Sequence, residues 1–409
     1  MLKRIPSKQL RVGMFLHELC GSWMEHPFWR STFLIKDPQD IRRIIDAGIG
    51  EVWIDTGKGL DVASGATPET AEKQIEQALA ETAAAPPLGS KVSMAEEAAR
   101  AAKTCAQAKQ AVSSMFQEAR MGKAVSAEAA LPVVEEISSS VMRNPGAIIS
   151  LARLKNKDDY TYMHSVAVCA LMVALAKQLN LNEEETRQAG LAGLLHDIGK
   201  MAIPLAVLNK PGKLTDAEFD LMKSHPVEGH KMLLEGSGIG AIPLDVCLHH
   251  HEKTDGSGYP DKLPAQQITL HAKMGAVCDV YDAITSNRPY KNGWEPTESL
   301  RKMTEWCEGH FDKIIFQSFI RSIGIYPVGS LVRLESGKLG VVVDQTEKSL
   351  IAPIVKVFFS IKSNAYIKPE LINLAKAGNH DKIMSHEDPA KWKIQNIHEI
   401  WSGIAGEFW

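Results

Sequence analysis

No two cysteines are spaced as CxxC or CxxxC. Cys20, Cys105, Cys169, Cys247, Cys278 and Cys307 are scattered along 409 residues and read as free thiols. Neither sign of charge prevails: 46 Lys and Arg stand against 49 Asp and Glu, a net charge of -3. That balance argues against a general binder of nucleic acid polymers, so any anionic ligand must be handled locally. No apolar run reaches the roughly 18 residues a bilayer span needs, and the opening MLKRIPSKQL carries no apolar signal segment. The expectation is a cytoplasmic protein without a membrane span. At 44% hydrophobic and 23% charged, the chain is long enough for two or three ordinary domains.

The pattern of the chain predicts a multidomain, mainly α protein. Residues 1–65 mix β-like runs (GMFLHEL, STFLIK, GEVWIDT) with one helical stretch, PQDIRRIIDAG, and read as a small α+β domain. Trp23, Phe28, Trp29 and Phe33 are assigned to its core. Residues 66–144 shift to Ala, Glu, Pro and Gly and read as a linker followed by a helical connector. Residues 145–325 are almost wholly helical in pattern, with Thr215 and Glu218 forming a capping box at one start. Residues 326–409 alternate with period two and predict a small β appendage, including a hairpin around Ser336–Gly337.

The middle domain concentrates imidazoles and carboxylates on otherwise apolar helices: His164, His196, Asp197, His225, His250, His251 and Asp279. A single histidine on an apolar face is most often a hydrogen-bonded core residue. Seven such groups are different, because burying them without a cation costs several kcal/mol whereas coordination satisfies them together. His196 and Asp197 are adjacent and diverge by about 100° on a helix, which favours a dinuclear centre bridged by Asp197. Gly199 suits a helix C-cap, and Lys200 places a cation toward an anion bound there. Pro226 puts His225 at a helix junction. His249 reads as structural.

Three blocks, HDIGK at 196–200, HHEKTDGSGYP at 250–260 and DVYDAITSNRPYK at 279–291, strongly resemble the HD-GYP phosphodiesterases, a branch of the HD superfamily of metal-dependent phosphohydrolases. The resemblance covers roughly 150–325 and implies an HD-type helical bundle. RVGMF near the start resembles, more weakly, the uncharacterised domain that often precedes HD-GYP domains. The implied reaction is hydrolysis of cyclic di-GMP to pGpG and, in many members, to GMP. His164, His196, Asp197 and Asp279 match the ligands of one metal; Asp197, His225, His250 and His251 match those of a second. Lys200 matches the lysine beside the reacting phosphate, and Gly258, Tyr259, Arg288 and Lys291 fall at substrate-holding positions. Members with a third metal carry a glutamate where this chain has Tyr160, so two divalent ions are expected, with iron or manganese favoured by the resemblance.

Two ions held roughly 3.5–4 Å apart activate water and clamp the phosphate oxygens, while Lys200 offsets charge growing on the non-bridging oxygens. The DGSGYP stretch suits a tight turn with backbone N–H groups near an anion. Two rivals remain: an HD phosphohydrolase for another nucleotide, and a catalytically silent cyclic-dinucleotide sensor or adaptor. Diguanylate cyclases or other signalling proteins are candidate partners, and an oligomer is compatible with everything above.

Overall fold

The computed structural model describes residues 1–21, 28, 32–83, 91–154, 160–210, 212, 214–286 and 293–404. The chain opens with an antiparallel four-stranded sheet in the order β1 (Leu2–Pro6), β4 (Glu51–Asp55), β2 (Phe15–Cys20), β3 (Phe33–Leu34). Between β3 and β4 runs α1 (Pro38–Asp46), opened by Asp37, whose carboxylate accepts from the Gln39 amide, and by Pro38 in the first turn. Ile5, Leu16, Ile35, Ile44, Val52 and Ile54 fill the space beneath as a separate small core. Phe28 meets Phe33 edge to face at 4.8 Å; Trp23 and Trp29 lie outside the described residues.

Helices then dominate. α2 (Pro68–Ala83) buries Ala71, Ile75 and Leu79. α3 (Met94–Arg120) starts at a Ser93–Glu96 capping box, and α4 (Ala127–Arg143) and α5 (Pro145–Arg153) follow. The bundle continues with α6 (Tyr160–Gln178), α7 (Glu183–Leu195), α8 (Leu205–Leu208), α9 (Asp216–Met222), α10 (His225–Leu234), α11 (Ala241–His249), α12 (Leu270–Thr285), α13 (Pro296–His310) and α14 (Lys313–Ile323). α9 begins at the Thr215–Glu218 capping box that the sequence announces. One hydrophobic core runs from Ile75 to Trp401, so α3 and α4 pack into the same interior as the bundle.

α6 is the axis of that interior. Every residue from Met163 to Ala176 is buried, as a helix apolar on all sides must be. By length and composition it is the one described helix able to cross a membrane, and 78% of its apolar window is buried in this fold. Thr161, His164 and Ser165 interrupt its apolar run, and Lys177 and Gln178 end it. The strongest reading of α6 is a core helix.

The C-terminal part is an antiparallel five-stranded sheet, β8 (Ala365–Asn373), β7 (Ser349–Ser360), β6 (Lys338–Thr346), β5 (Leu331–Leu334), β9 (Ile383–His386). β5 and β6 turn across Ser336–Gly337, where Gly337 takes φ +76°. The short α15 (Ile397–Ser402) returns Trp401 to the main core, and the Trp392 indole donates to Glu387 at 2.9 Å. The mainly helical, multidomain fold class expected from the pattern is what the chain adopts.

Candidate metal centre

Five helices deliver side chains to one buried point. α6 supplies His164 and α7 ends at His196, after which Asp197 leaves the helix at φ -101°, ψ 10° and a 3-10 turn covers Ile198–Ala202. That break, between the two adjacent residues, lets both turn inward. His225 opens α10, His250 caps α11 with His251 following, and Asp279 lies within α12. His164, His196, Asp197, His225, His250 and Asp279 are each at most 5% exposed.

Glycines set the approach. A Cβ on Gly199 would fall 1.9 Å from the His225 carbonyl and 2.4 Å from the Gly229 nitrogen, so the turn after α7 lies in backbone contact with the start of α10. Gly199 is therefore no helix C-cap; it sits inside the 3-10 turn and brings His225 onto Asp197. His225, in turn, is itself the first residue of α10, with Pro226 second.

Asp197 stands between two groups of histidines. Its Oδ2 is 3.3 Å from His164 Nε2 and 3.4 Å from His196 Nε2; its Oδ1 is 3.3 Å from His225 Nε2 and 3.9 Å from His250 Nε2. Asp279 Oδ1 is 2.9 Å from His164 Nε2, and its Oδ2 is 3.8 Å from His251 Nδ1. Three sets of potential ligand atoms each lie within 4.8 Å of one another: His164, His196 and Asp279; His196, Asp197 and His250; His225, His250 and His251.

The tautomers follow from the outward-facing nitrogens. His196 Nδ1 faces the Gly193 carbonyl at 2.8 Å, His225 Nδ1 the Met222 carbonyl at 2.8 Å, and His250 Nδ1 the Val246 carbonyl at 3.0 Å. Carbonyls only accept, so each Nδ1 carries a proton and each Nε2 offers a lone pair inward. His164 Nδ1 faces Asp282 Oδ2 at 2.6 Å. The inward nitrogens then stand too close for comfort: His164 and His196 Nε2 are 3.2 Å apart, His225 and His250 Nε2 3.4 Å. When these imidazoles are neutral the two lone pairs of each pair cannot bond each other, and Asp197 Oδ1 and Asp279 Oδ2 are buried without a hydrogen bond. A cation satisfies all of these atoms at once.

Without a metal, protons take the place of the cation on part of the cluster. Burial lowers the His196 pKa, but the Asp197 charge and hydrogen bonds to Asp197 and Asp279 outweigh it and raise it to about 10. His164 is also raised, burial being overcome by Asp197, Asp279 and Asp282. Burial opposes ionisation of Asp197 and Asp279, yet Lys200 and His196 hold the first, and His164 and His196 the second, well below the carboxylate range. His250 falls to about 3 through burial and the neighbouring His196, and burial with His250 carries His251 well down.

Around the centre, the Lys200 ammonium donates to Asp197 Oδ2, and Tyr259 stacks on His251 at 4.7 Å and 23°. Tyr160 stacks on His164 at 5.7 Å. Gly258 sits where a Cβ would lie 2.4–2.6 Å from the backbone of residues 251–253, a steric demand of the turn. Arg288 and Lys291 lie outside the described residues. His249 stands apart from the cluster between Asp245 at 2.8 Å and Asp261 at 3.1 Å. Sequence reasoning missed Asp282, although it lies one helical turn after Asp279, where a second inward carboxylate is expected.

A helical bundle gathering histidine and aspartate around a buried point, with HD at the end of a helix, defines a divalent-metal-binding HD-domain protein. Residues 143–315 match the HD domain, and residues 2–130 match a domain of unknown function, DUF3391. The chain is 54% identical over 406 residues to the cyclic di-GMP phosphodiesterase PA4108 of Pseudomonas aeruginosa, covering 99% of this chain and 97% of that one. It is 50% identical over 131 residues to the cyclic di-GMP phosphodiesterase response regulator RpfG of Xanthomonas campestris pv. campestris, covering 31% and 34%. A 3'3'-cGAMP-specific phosphodiesterase of Vibrio cholerae is 34% identical over 190 residues, covering 46% and 42%. The chain belongs to the HD-GYP family.

Proposed function

We propose that this protein hydrolyses cyclic di-GMP to pGpG, and onward to GMP, in the cytoplasm, using two divalent metal ions, iron or manganese. The observation that carries the dinuclear reading is the division of Asp197, one oxygen toward His164 and His196 and the other toward His225 and His250. His164, His196 and Asp279 would hold one ion, His225, His250 and His251 the other, with Asp197 shared. Bound ions supply Lewis acidity toward the phosphodiester and lower the pKa of water. The substrate assignment is supported by 54% identity over nearly the full length to a protein named for that activity.

The remaining residues bind and orient. Lys200, beside Asp197 and partly exposed, offsets negative charge growing on the non-bridging phosphate oxygens. Tyr259, stacked on His251, offers an aromatic face to a guanine base. Arg288 and Lys291 supply cations for the second phosphate. In this reading residues 145–325 hold the chemistry, and residues 1–65, 66–144 and 326–409 surround it as an N-terminal domain, a connector and a β extension. A diguanylate cyclase is the partner class this activity suggests.

Relatives specific for 3'3'-cGAMP make substrate choice the point to test. Metal-loaded protein should cleave cyclic di-GMP in preference to 3'3'-cGAMP, with about two metals per chain. His196→Ala and Asp197→Ala should lose both metal and turnover. Binding without cleavage by fully loaded protein would replace this reading with the sensor.

A further inference from the structure

The loop that carries Tyr259 is held from outside the bundle as well as within it. Internally it is closed by Glu252, whose carboxylate accepts the amides of Asp261, Lys262 and Leu263 at 2.7, 3.0 and 2.9 Å. Those three bonds tie the two ends of the loop together, so a contact made at one part of it bears on the rest. The first grip comes from the N-terminal sheet. Lys253, only 5% exposed, donates from its ammonium to the Gly48 carbonyl at 3.1 Å.

Gly48 belongs to the turn between α1 and β4, 205 residues earlier, and holds φ +69°. A Cβ there would lie 2.9 Å from the Ser257 carbonyl and 3.3 Å from the Lys253 ammonium. The turn and the loop are therefore in backbone contact. Ser257 Oγ also lies 3.5 Å from the Gly48 carbonyl, although its shorter partner is Asp255 at 2.6 Å.

A second grip reaches the loop through α13. The Gly309 carbonyl accepts the Asp255 amide at 2.9 Å and the His310 carbonyl the Thr254 amide at 3.3 Å. α13 is fastened to the same sheet, because Glu305 accepts the Trp53 indole at 2.7 Å and Lys302 donates to Glu18 at 2.9 Å. Both anchors of the loop thus trace back to one small sheet. If that sheet were merely glued on, an apolar contact would serve as well as a buried ammonium, which is costly to desolvate. What the charged bond adds is direction.

We propose that the N-terminal sheet is a working part of the substrate site: its Gly48 turn, through Lys253, sets the posture of the loop that presents Tyr259. Gly48 and Lys253 are positioning residues, and the assignment of Tyr259 to substrate rests on the function proposed above. Weakening the grip should loosen substrate more than metal, since of the seven candidate ligands only His251 adjoins the loop and the other six stand on helices the Gly48 turn does not carry.

The test uses full-length, metal-loaded protein and three variants: Gly48→Ala, Lys253→Met and Lys253→Arg. Gly48→Ala should raise KM for cyclic di-GMP about tenfold and change kcat less than about threefold, the signature of lost uniform binding. Metal content should stay at the wild-type value. Amide exchange across residues 252–263 should quicken while exchange in α6 does not. Lys253→Met should reproduce both effects, and Lys253→Arg should largely reverse them, which a purely structural role does not predict. Wild-type KM with unchanged loop exchange overturns the proposal, and so does faster exchange with wild-type KM. If Gly48→Ala fails to fold, the lysine pair decides. If wild-type protein does not cleave cyclic di-GMP, the functional reading falls, and loop exchange alone decides whether the sheet grips the loop.

Discussion

Asp282 Oδ2 lies 2.6 Å from His164 Nδ1 on the side away from the metal cluster. It fixes which nitrogen of His164 carries the proton and so which lone pair faces Asp279 and Asp197. Asp282 is 2% exposed, so the bond is protected from water. Asp282→Asn keeps the shape but removes the charge that makes the imidazole a strong ligand. Metal affinity should drop by about 10–100-fold, measured by competition against a chelator. Unchanged affinity would show that His164 is oriented by packing alone.

Lys200 should matter for rate rather than for metal. Its ammonium neighbours Asp197 and its carbonyl is held by Arg120 at 3.2 Å, so the side chain springs from a fixed backbone. Lys200→Met should lower kcat by about 10²-fold, the usual cost of one preorganised charge donor, with metal content retained. Loss of metal in step with loss of rate would reassign Lys200 to support of Asp197.

Gly199 admits no side chain. A Cβ would overlap the His225 carbonyl and the Gly229 backbone, so Gly199→Ala must push the start of α10 away from Asp197. Destabilisation of about 1–3 kcal/mol or more is expected. The loss of metal should fall mainly on the His225, His250 and His251 side. A thermal melt paired with metal analysis reads both, and wild-type values in each would mean that the turn can shift freely.

Metal affinity should climb with pH. In the metal-free protein His196 keeps a proton up to about pH 10, because Asp197 and Asp279 outweigh its burial, and His164 is raised as well. A metal must displace those protons, so raising pH from about 6 toward 10 favours binding and lowering it opposes binding. The slope of log affinity against pH should be at least about one per unit, read by chelator competition at three pH values. A flat profile would mean that the two imidazoles are already neutral.

Much of the cluster was legible because its candidate ligands sit in contiguous blocks: HDIGK, HHEKTDGSGYP and DVYDA each join such a residue to its structural neighbours. The capping box at Thr215–Glu218 and the period-two strands after Ile325 were legible for the same reason, since local pattern fixes local geometry. What escaped depends on distance. Gly48 and Lys253 are 205 residues apart, and no spacing rule joins them. The role of Gly199 depends on the backbone of α10. Arg288 and Lys291 remain expectations from the motif.

The single core that links Ile75 to Trp401 has a consequence for how such a protein can be rearranged over evolutionary time. Phe116, Val134 and Ile137, all fully buried, precede residue 143, where the HD match begins. A recombination event that cut there would deliver the ligands to a new host without the walls around them. The unit that must be inherited together is therefore larger than the motif, and α3 and α4, which help wall the core behind the histidines, must travel with them.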